Sequence, residues 1–558
     1  MYWACRPIQP DVTAYRDRKA VPVICTHREW AGFVRNRHRG RRLRPGRAAA
    51  WMLGRTGTAL VIGVAALGTA WWVGAGTPAQ PPSPQPRGLF LVQTHPPAPV
   101  TSVLAGTPQA VTADVARALF AVAPIVIAAN ANHPADLASA VSRAGRAHAP
   151  LLLTSAQAGT EAGNAATLHT QLRALHPRAV LAVGVARSAL AAQLPGIHVV
   201  TGPAGLPATR PPAPLSHVVL LVHQGDSSAT TTAAVATAHA AGARVITVRG
   251  YDPREDSAAI AALSAARPQR VLAIGTRFGP VSQLAYRVAV AATGVQLPAG
   301  GQILFPMHRL VALYGHPGDP ALGALGQQDL RASLARARKA ARLYRRLSSV
   351  PVIPTFEIIA TVAEAHPGPD GTYSYESPLS LLRPWVNAAT AARMYVVVDL
   401  QAGRASLLAQ AKRYEPLLKL PNVGLALDPE WKLGARQLPL HQIGSVSASQ
   451  INTVIRWLAD LTARYHLPQK LLVLHQFQLS MIGDEHRLDT RNGDLAIVIH
   501  MDGQGTPRDK QETWNAVTKA APPGVFFGWK NFYTKDHPML GPRQALARTP
   551  EPVMISYQ

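Results

Sequence analysis

Between residues 301 and 558 the chain alternates short apolar runs with longer mixed stretches. Eight of the runs read as strands: HRLVALYGH (308–316), VPVIPTFEI (350–358), RMYVVVDLQ (393–401), NVGLALDPE (422–430), KLLVLHQF (470–477), LAIVIHMDG (495–503), GVFFGWKN (524–531) and PVMISYQ (552–558). Several are apolar without a break, as strands buried on both faces are. SLLRPWVNAATAA, AGRASLLAQAKRYEPLLK and SASQINTVIRWLADLTARYH lie between them with helical spacing. Eight strand–helix units in about 250 residues predict a (β/α)8, or TIM, barrel.

Residues 100–300 alternate in the same way. PIVIAAN, PLLLTS, AVLAVG, HVVLLVH, RVITVRG and RVLAIG are separated by Ala-rich stretches, which predicts a parallel α/β module. Leu172–Leu194 and Leu263–Ala285 share one order of features: helix end, proline, strand, glycine, turn, helix. Two related halves are the economical reading. Ahead of the module, Thr56–Gly76 carries no charge and is long enough to cross a bilayer. The basic run RNRHRGRRLRPGR precedes it and Trp71-Trp72 sit near its far end, the positive-inside order of a single-pass anchor. A cleaved signal sequence is the alternative. The expected layout is a basic cytoplasmic segment over 1–55, or a gene-model extension if Met52 is the start. The anchor spans 56–76, a Pro-rich linker 77–99, the module 100–300 and the barrel 301–558. The expected localisation is the cell membrane, with the bulk of the chain extracytoplasmic.

Charge narrows the partners. Lys and Arg number 56 against 30 Asp and Glu, a net +26, which favours an anionic neighbour such as a lipid face or a wall polymer. No zinc-finger, RNA-binding or helix-turn-helix signature is present, so nucleic acid is not expected. Cys5 and Cys25 both precede the apolar segment, so the body has no thiol chemistry.

The module resembles the cell-wall-binding repeat 2 family. PADLASAVSRAGRAHAPLLLTSA (134–156) and the L-x-x-L before AVLAVG carry the likeness. It implies attachment to a wall polymer.

In so acid-poor a chain, the ends of the barrel strands stand out. They carry His316, Glu357, Asp399 and Gln401, Asp428 and Glu430, His475 and Gln476, His500 and Asp502, Trp529 and Lys530, and Tyr557 and Gln558. TIM-barrel sites are built there, although polar residues also mark where strands pass into loops. Asp428 and Glu430 stand two apart, and on a strand such residues share a side. Neighbouring carboxyls raise each other's proton affinity, so one can stay an acid while the other is charged. Glycosidic cleavage needs that division. Trp431 reads equally as a sugar platform or as packing under a loop. A D-x-E at the end of the fourth strand resembles the glycoside hydrolases of the chitinase-like family 18 and the muramidase-like family 25. The resemblance implies Glu430 as catalytic acid and Asp428 as assistant to the substrate's acetamido group. Glu357, Asp399, Trp431, His475, Gln476, Asp502, Trp529 and Tyr557 are then expected to bind substrate. His475, His500 and Asp502 could alternatively hold a metal, but no metal or other cofactor is expected. Two readings follow: an envelope glycosidase acting on an N-acetylated wall glycan, or a surface protein that binds glycan or wall without cleaving it.

Overall fold

The computed structural model describes residues 89–154 and 169–558. Eight parallel strands close into a barrel: Arg309–Gly315, Val352–Ala363, Tyr395–Leu400, Val423–Leu427, Lys470–His475, Leu495–Met501, Phe526–Asn531 and Met554–Tyr557. They are called strands one to eight. Each falls on one of the apolar runs named above. Closure is made where strand eight pairs with both strand seven and strand one, Met554 lying opposite Gly528 and Leu310. Strand two runs on past the barrel and pairs antiparallel with Ser374–Glu376.

The period-two alternation of a strand sorts side chains into an inner and an outer set. Val311, Phe356, Val396, Leu425, Leu472, Ile497 and Ile555 face the surrounding helices. Leu310, Ile353, Tyr395, Leu471, Ala496 and Met554 fill the interior, with Ala312, Val397, Ala426, Val473 and Val498 above them. The helices start on local signals. Ser447 and Gln450 form a reciprocal capping box before Ala448–Arg464, and Asp329 caps Leu330–Tyr344. Leu297, Leu304 and Phe305 plug the N-terminal end of the barrel. The Leu304 amide donates to Gln469 Oε1 at 2.9 Å there.

The preceding region contains two four-stranded parallel sheets. The first has the order Leu151–Thr154, Ile125–Asn130, Ala179–Val183, His198–Val200. The second has Arg244–Val248, Val218–His223, Arg270–Ile274, Val100–Leu104. The two echoed segments supply the third strand in each. The edge strand Leu151–Thr154 would leave amides unpaired in the interior. Thr237 and Thr112, from two buried helices, accept from the Leu151 and Leu153 amides at 3.0 and 3.1 Å. Arg254 links this region to the barrel, lying 2.9 Å from Asp252 and 3.5 Å from Asp494. Part of the stretch read as linker is structured, since Phe90–Leu91 pairs with Thr209–Arg210.

The membrane anchor, and the membrane localisation that rested on it, are corrected. Among the described residues no helix is long and apolar enough to cross a membrane. The longest of them, Ala448–Arg464, has 17 residues and includes Arg456, Asp460 and Arg464, whereas a span needs about 20 mostly apolar residues. Segments 1–55 and 56–76 lie outside the described residues.

Barrel closure gives a first prediction. Deleting Val553–Gln558 removes the buried Met554, Ile555 and Tyr557, each contributing about 1.5–3 kcal/mol, and opens the edges of strands one and seven. Calorimetry of the truncated protein should show a melting transition lowered by well over 10 °C, or aggregation. An unchanged transition would refute closure at this seam.

Candidate active site

One step further along each strand, the barrel interior changes character. The inward positions become Tyr314, Glu357, Asp399, Asp428, His475, His500, Lys530 and Ser556. All are buried. Strand parity places them above the apolar layers, at the C-terminal mouth.

His475 sits at the centre. Its Nε2 donates to Glu357 Oε1 at 3.1 Å, from the far side of the barrel. Its Nδ1 lies 3.2 Å from Asp502 Oδ2, and Asp399 Oδ1 is 3.9 Å from Nε2. Burial works against a charged imidazole, but the bonds to Asp502 and Glu357 and their charges hold its pKa well above the usual histidine value. Both partners respond in kind. Burial opposes the ionisation of Glu357, yet the bond from His475 and its charge leave the Glu357 pKa below the usual value. Asp502 is lowered in the same way, with Lys530 Nζ 3.8 Å away. Lys530 also lies over the Tyr314 ring, 3.7 Å from its centroid.

The other three carboxyls move the opposite way. Burial, reinforced by Glu357, pushes Asp399 up to about 6 against the pull of His475, while Tyr314 Oη donates to it at 2.8 Å. Burial and repulsion from Glu430 and Asp399 carry Asp428 well above the usual range. Glu430 is pushed up to about 7 by burial and the Asp502 charge, against Lys530 and His475. The mouth therefore separates two ionised carboxylates from three carboxyls that hold protons toward neutral pH. His500 stays uncharged, because burial lowers it to about 3. Its Nε2 is 3.2 Å from Ser556 Oγ. The ring fits because strand seven has glycine opposite it. A Cβ on Gly528 would stand 2.4 Å from His500 Cδ2.

Strand four ends at Leu427, and Pro429–Trp431 form a short 3-10 turn. Asp428 and Glu430 therefore do not meet by the i, i+2 rule of a strand. The turn carries half-buried Glu430 to the rim, where it is coupled to Asp428 through space. Gly444 fixes the turn by donating to the Glu430 carbonyl at 2.7 Å. A Cβ at Gly444 would lie 2.6 Å from that oxygen, so only glycine approaches so closely.

The expected substrate-binding residues divide. Glu357, Asp399, His475 and Asp502 share the mouth. Trp431 lies half-buried on the turn. Gln476 is the next residue after His475 and turns away to Glu485, donating to its Oε2 at 2.9 Å. Trp529 packs outward against Trp514, Met501 and Leu540. Tyr557 also faces outward, its hydroxyl 2.6 Å from that of Tyr344. His316 meets Ser377 at 3.1 Å. Tyr314 and Ser556 belong to the inner layer but escape a reading based on strand ends. Counting parity back from the named residues would have found both. Among the described residues no three His, Cys, Asp or Glu side chains are grouped to hold a metal ion.

No protein-family model matches the chain, and no curated protein matches it. The barrel is thus established by its strands and closure alone.

A second prediction concerns the His475 ion cluster. His475→Gln strands two buried carboxylates and should lower stability by about 3–5 kcal/mol in denaturant unfolding. Adding Glu357→Gln should recover part of that loss, because the two changes remove one interaction. Strictly additive losses would count against the cluster.

Proposed function

We propose that the barrel mouth hydrolyses a glycosidic bond in an N-acetylated wall glycan, and that the α/β module holds the wall polymer. The observation that supports it is the split of protonation between the buried layer of the mouth and the rim above it. A carboxyl held near pH 7, Glu430, stands beside acids of both kinds, and glycosidic cleavage requires one carboxyl that gives a proton and another that remains charged or orients the substrate. In this reading Glu430 protonates the leaving oxygen. Asp428, protonated and next to it, orients the acetamido group that acts as nucleophile, as in the families whose D-x-E it resembles. Asp399 and Asp502, buried beneath this pair with Glu357, help to set its protonation. In the same reading Trp431, half-buried on the turn, meets a sugar face.

A second reading, a barrel that binds glycan without cleaving it, is favoured by the complete burial of Glu357, Asp399 and His475. Turnover separates the two. The parent protein should release reducing ends from N-acetylated wall fragments. Glu430→Gln keeps the shape and removes the transferable proton, so turnover should fall by about 10²–10⁴ while glycan binding persists. Asp428→Asn should also slow turnover. Binding with no release from the parent protein decides for the second reading. Equal activity in Glu430→Gln moves the acid role to another carboxyl of the mouth.

The pH profile is a separate test. A raised carboxyl is protonated below its pKa, so the acid form of Glu430 is full below about 7 and is lost above it. The kcat/KM value should therefore fall about tenfold per pH unit on the alkaline side of neutrality. In Glu430→Gln that limb should vanish from the residual activity.

A further inference from the structure

At the opposite, N-terminal end of the barrel lies a cleft of about 390 Å³. Four arginines line it: Arg338, Arg342 and Arg345 from one helix and its end, and Arg393 from the turn before strand three. All four are exposed. Arg338 donates to the Ala392 carbonyl at 3.2 Å. Among the described residues no carboxylate lies within ion-pair distance of any of the four. Helix Leu330–Tyr344 itself contains no acidic residue. The rest of the lining is aliphatic, including Pro298, Val352, Ile353 and Pro354.

Four unpaired guanidinium groups around one concavity repel each other, and an anion relieves that repulsion. Guanidinium forks suit phosphate oxygens in particular. The helix arginines recur at spacings of four and three, one above another on a single face. They extend over about 10 Å of helix, which suits successive charges on a chain better than one compact ion. Sites for single-stranded nucleic acid interleave aromatic platforms on which bases stack, and this lining has no aromatic ring. We propose that the cleft binds a linear phosphodiester polymer whose repeating unit is a small aliphatic polyol. The site shares no residue with the barrel mouth, so either assignment can fail alone.

The test titrates the full chain, at several salt concentrations, with a glycerol phosphate oligomer, inorganic phosphate and an oligothymidylate of equal charge. Arg342→Ala with Arg345→Ala leaves good helix formers in place. Arg187→Ala with Arg244→Ala removes the same charge from exposed positions outside the cleft. The glycerol phosphate oligomer should bind best. The cleft pair should weaken it about tenfold or more at low salt and reduce the slope of log affinity on log salt by about two. The control pair should change neither. Equal losses in both pairs would overturn the site in favour of general charge attraction. Inorganic phosphate binding as tightly as the oligomer would overturn the polymer, and oligothymidylate binding as tightly or better would assign the cleft to nucleic acid. No binding of any probe at low salt would overturn the proposal outright.

Discussion

A histidine held between two carboxylates governs the barrel mouth. Below it the interior is filled by Ala312, Val397, Ala426, Val473 and Val498, which offer no hydrogen bond. Ionisable groups set directly on such a layer lose most of their hydration, and each tends toward its uncharged form. His475 is the exception that makes charge persist. By staying protonated it keeps Glu357 and Asp502 ionised, and their charges in turn raise Asp399 and Glu430. One imidazole thus biases the protonation of four carboxyls on or just beyond four other strands. Lys530 moderates the outcome from strand seven, and Gly528 makes room for the neutral ring of His500.

The barrel was legible because most of its strands are buried on both faces, so their sequences are largely apolar runs that need no partner to be recognised. The mouth was only partly legible. Runs such as GVFFGWKN announce a strand without saying which face is inside, and the two neighbours Trp529 and Lys530 fall on opposite faces. That is why Trp529 and Tyr557 looked like site residues but pack among helices. The partner of Asp399 across the barrel, Tyr314, is 85 residues away in sequence. Such a pairing depends on closure and shear, which no local pattern encodes. The D-P-E-W stretch illustrates a third limit. The two carboxyls do couple, but through a turn rather than a strand, because the chain leaves the sheet at Asp428 and Gly444 receives the turn from a loop well downstream.

The two ends of the barrel are finished in different ways. The mouth ends in polar side chains from the strands themselves, whereas the other end is closed by Leu297, Leu304 and Phe305 from the connecting segment. The plug ties barrel stability to the chain that enters it. Gln469, at the start of strand five, accepts from the Leu304 amide, and its own amide donates to the Gln302 carbonyl at 2.8 Å. Arg254 and Asp494 strengthen the same seam.

The second sheet of the module takes its fourth strand from the chain's earlier part: Val100–Leu104 pairs with Arg270–Ile274. The first sheet, made entirely from residues between 125 and 200, intervenes in sequence. On the ribosome this order matters. The first sheet has all its strands as soon as residue 200 has emerged, but Val100–Leu104 then has no neighbour until Arg270–Ile274 follows. Domains generally fold in the order of synthesis, and here the first-made strand of the two four-stranded sheets is the last of them to be placed. For that interval the nascent chain carries an open strand that must neither enter the finished first sheet nor pair with another copy. The Val-Thr-Ser-Val-Leu sequence suits such a wait, because two hydroxyl residues interrupt its apolar surface.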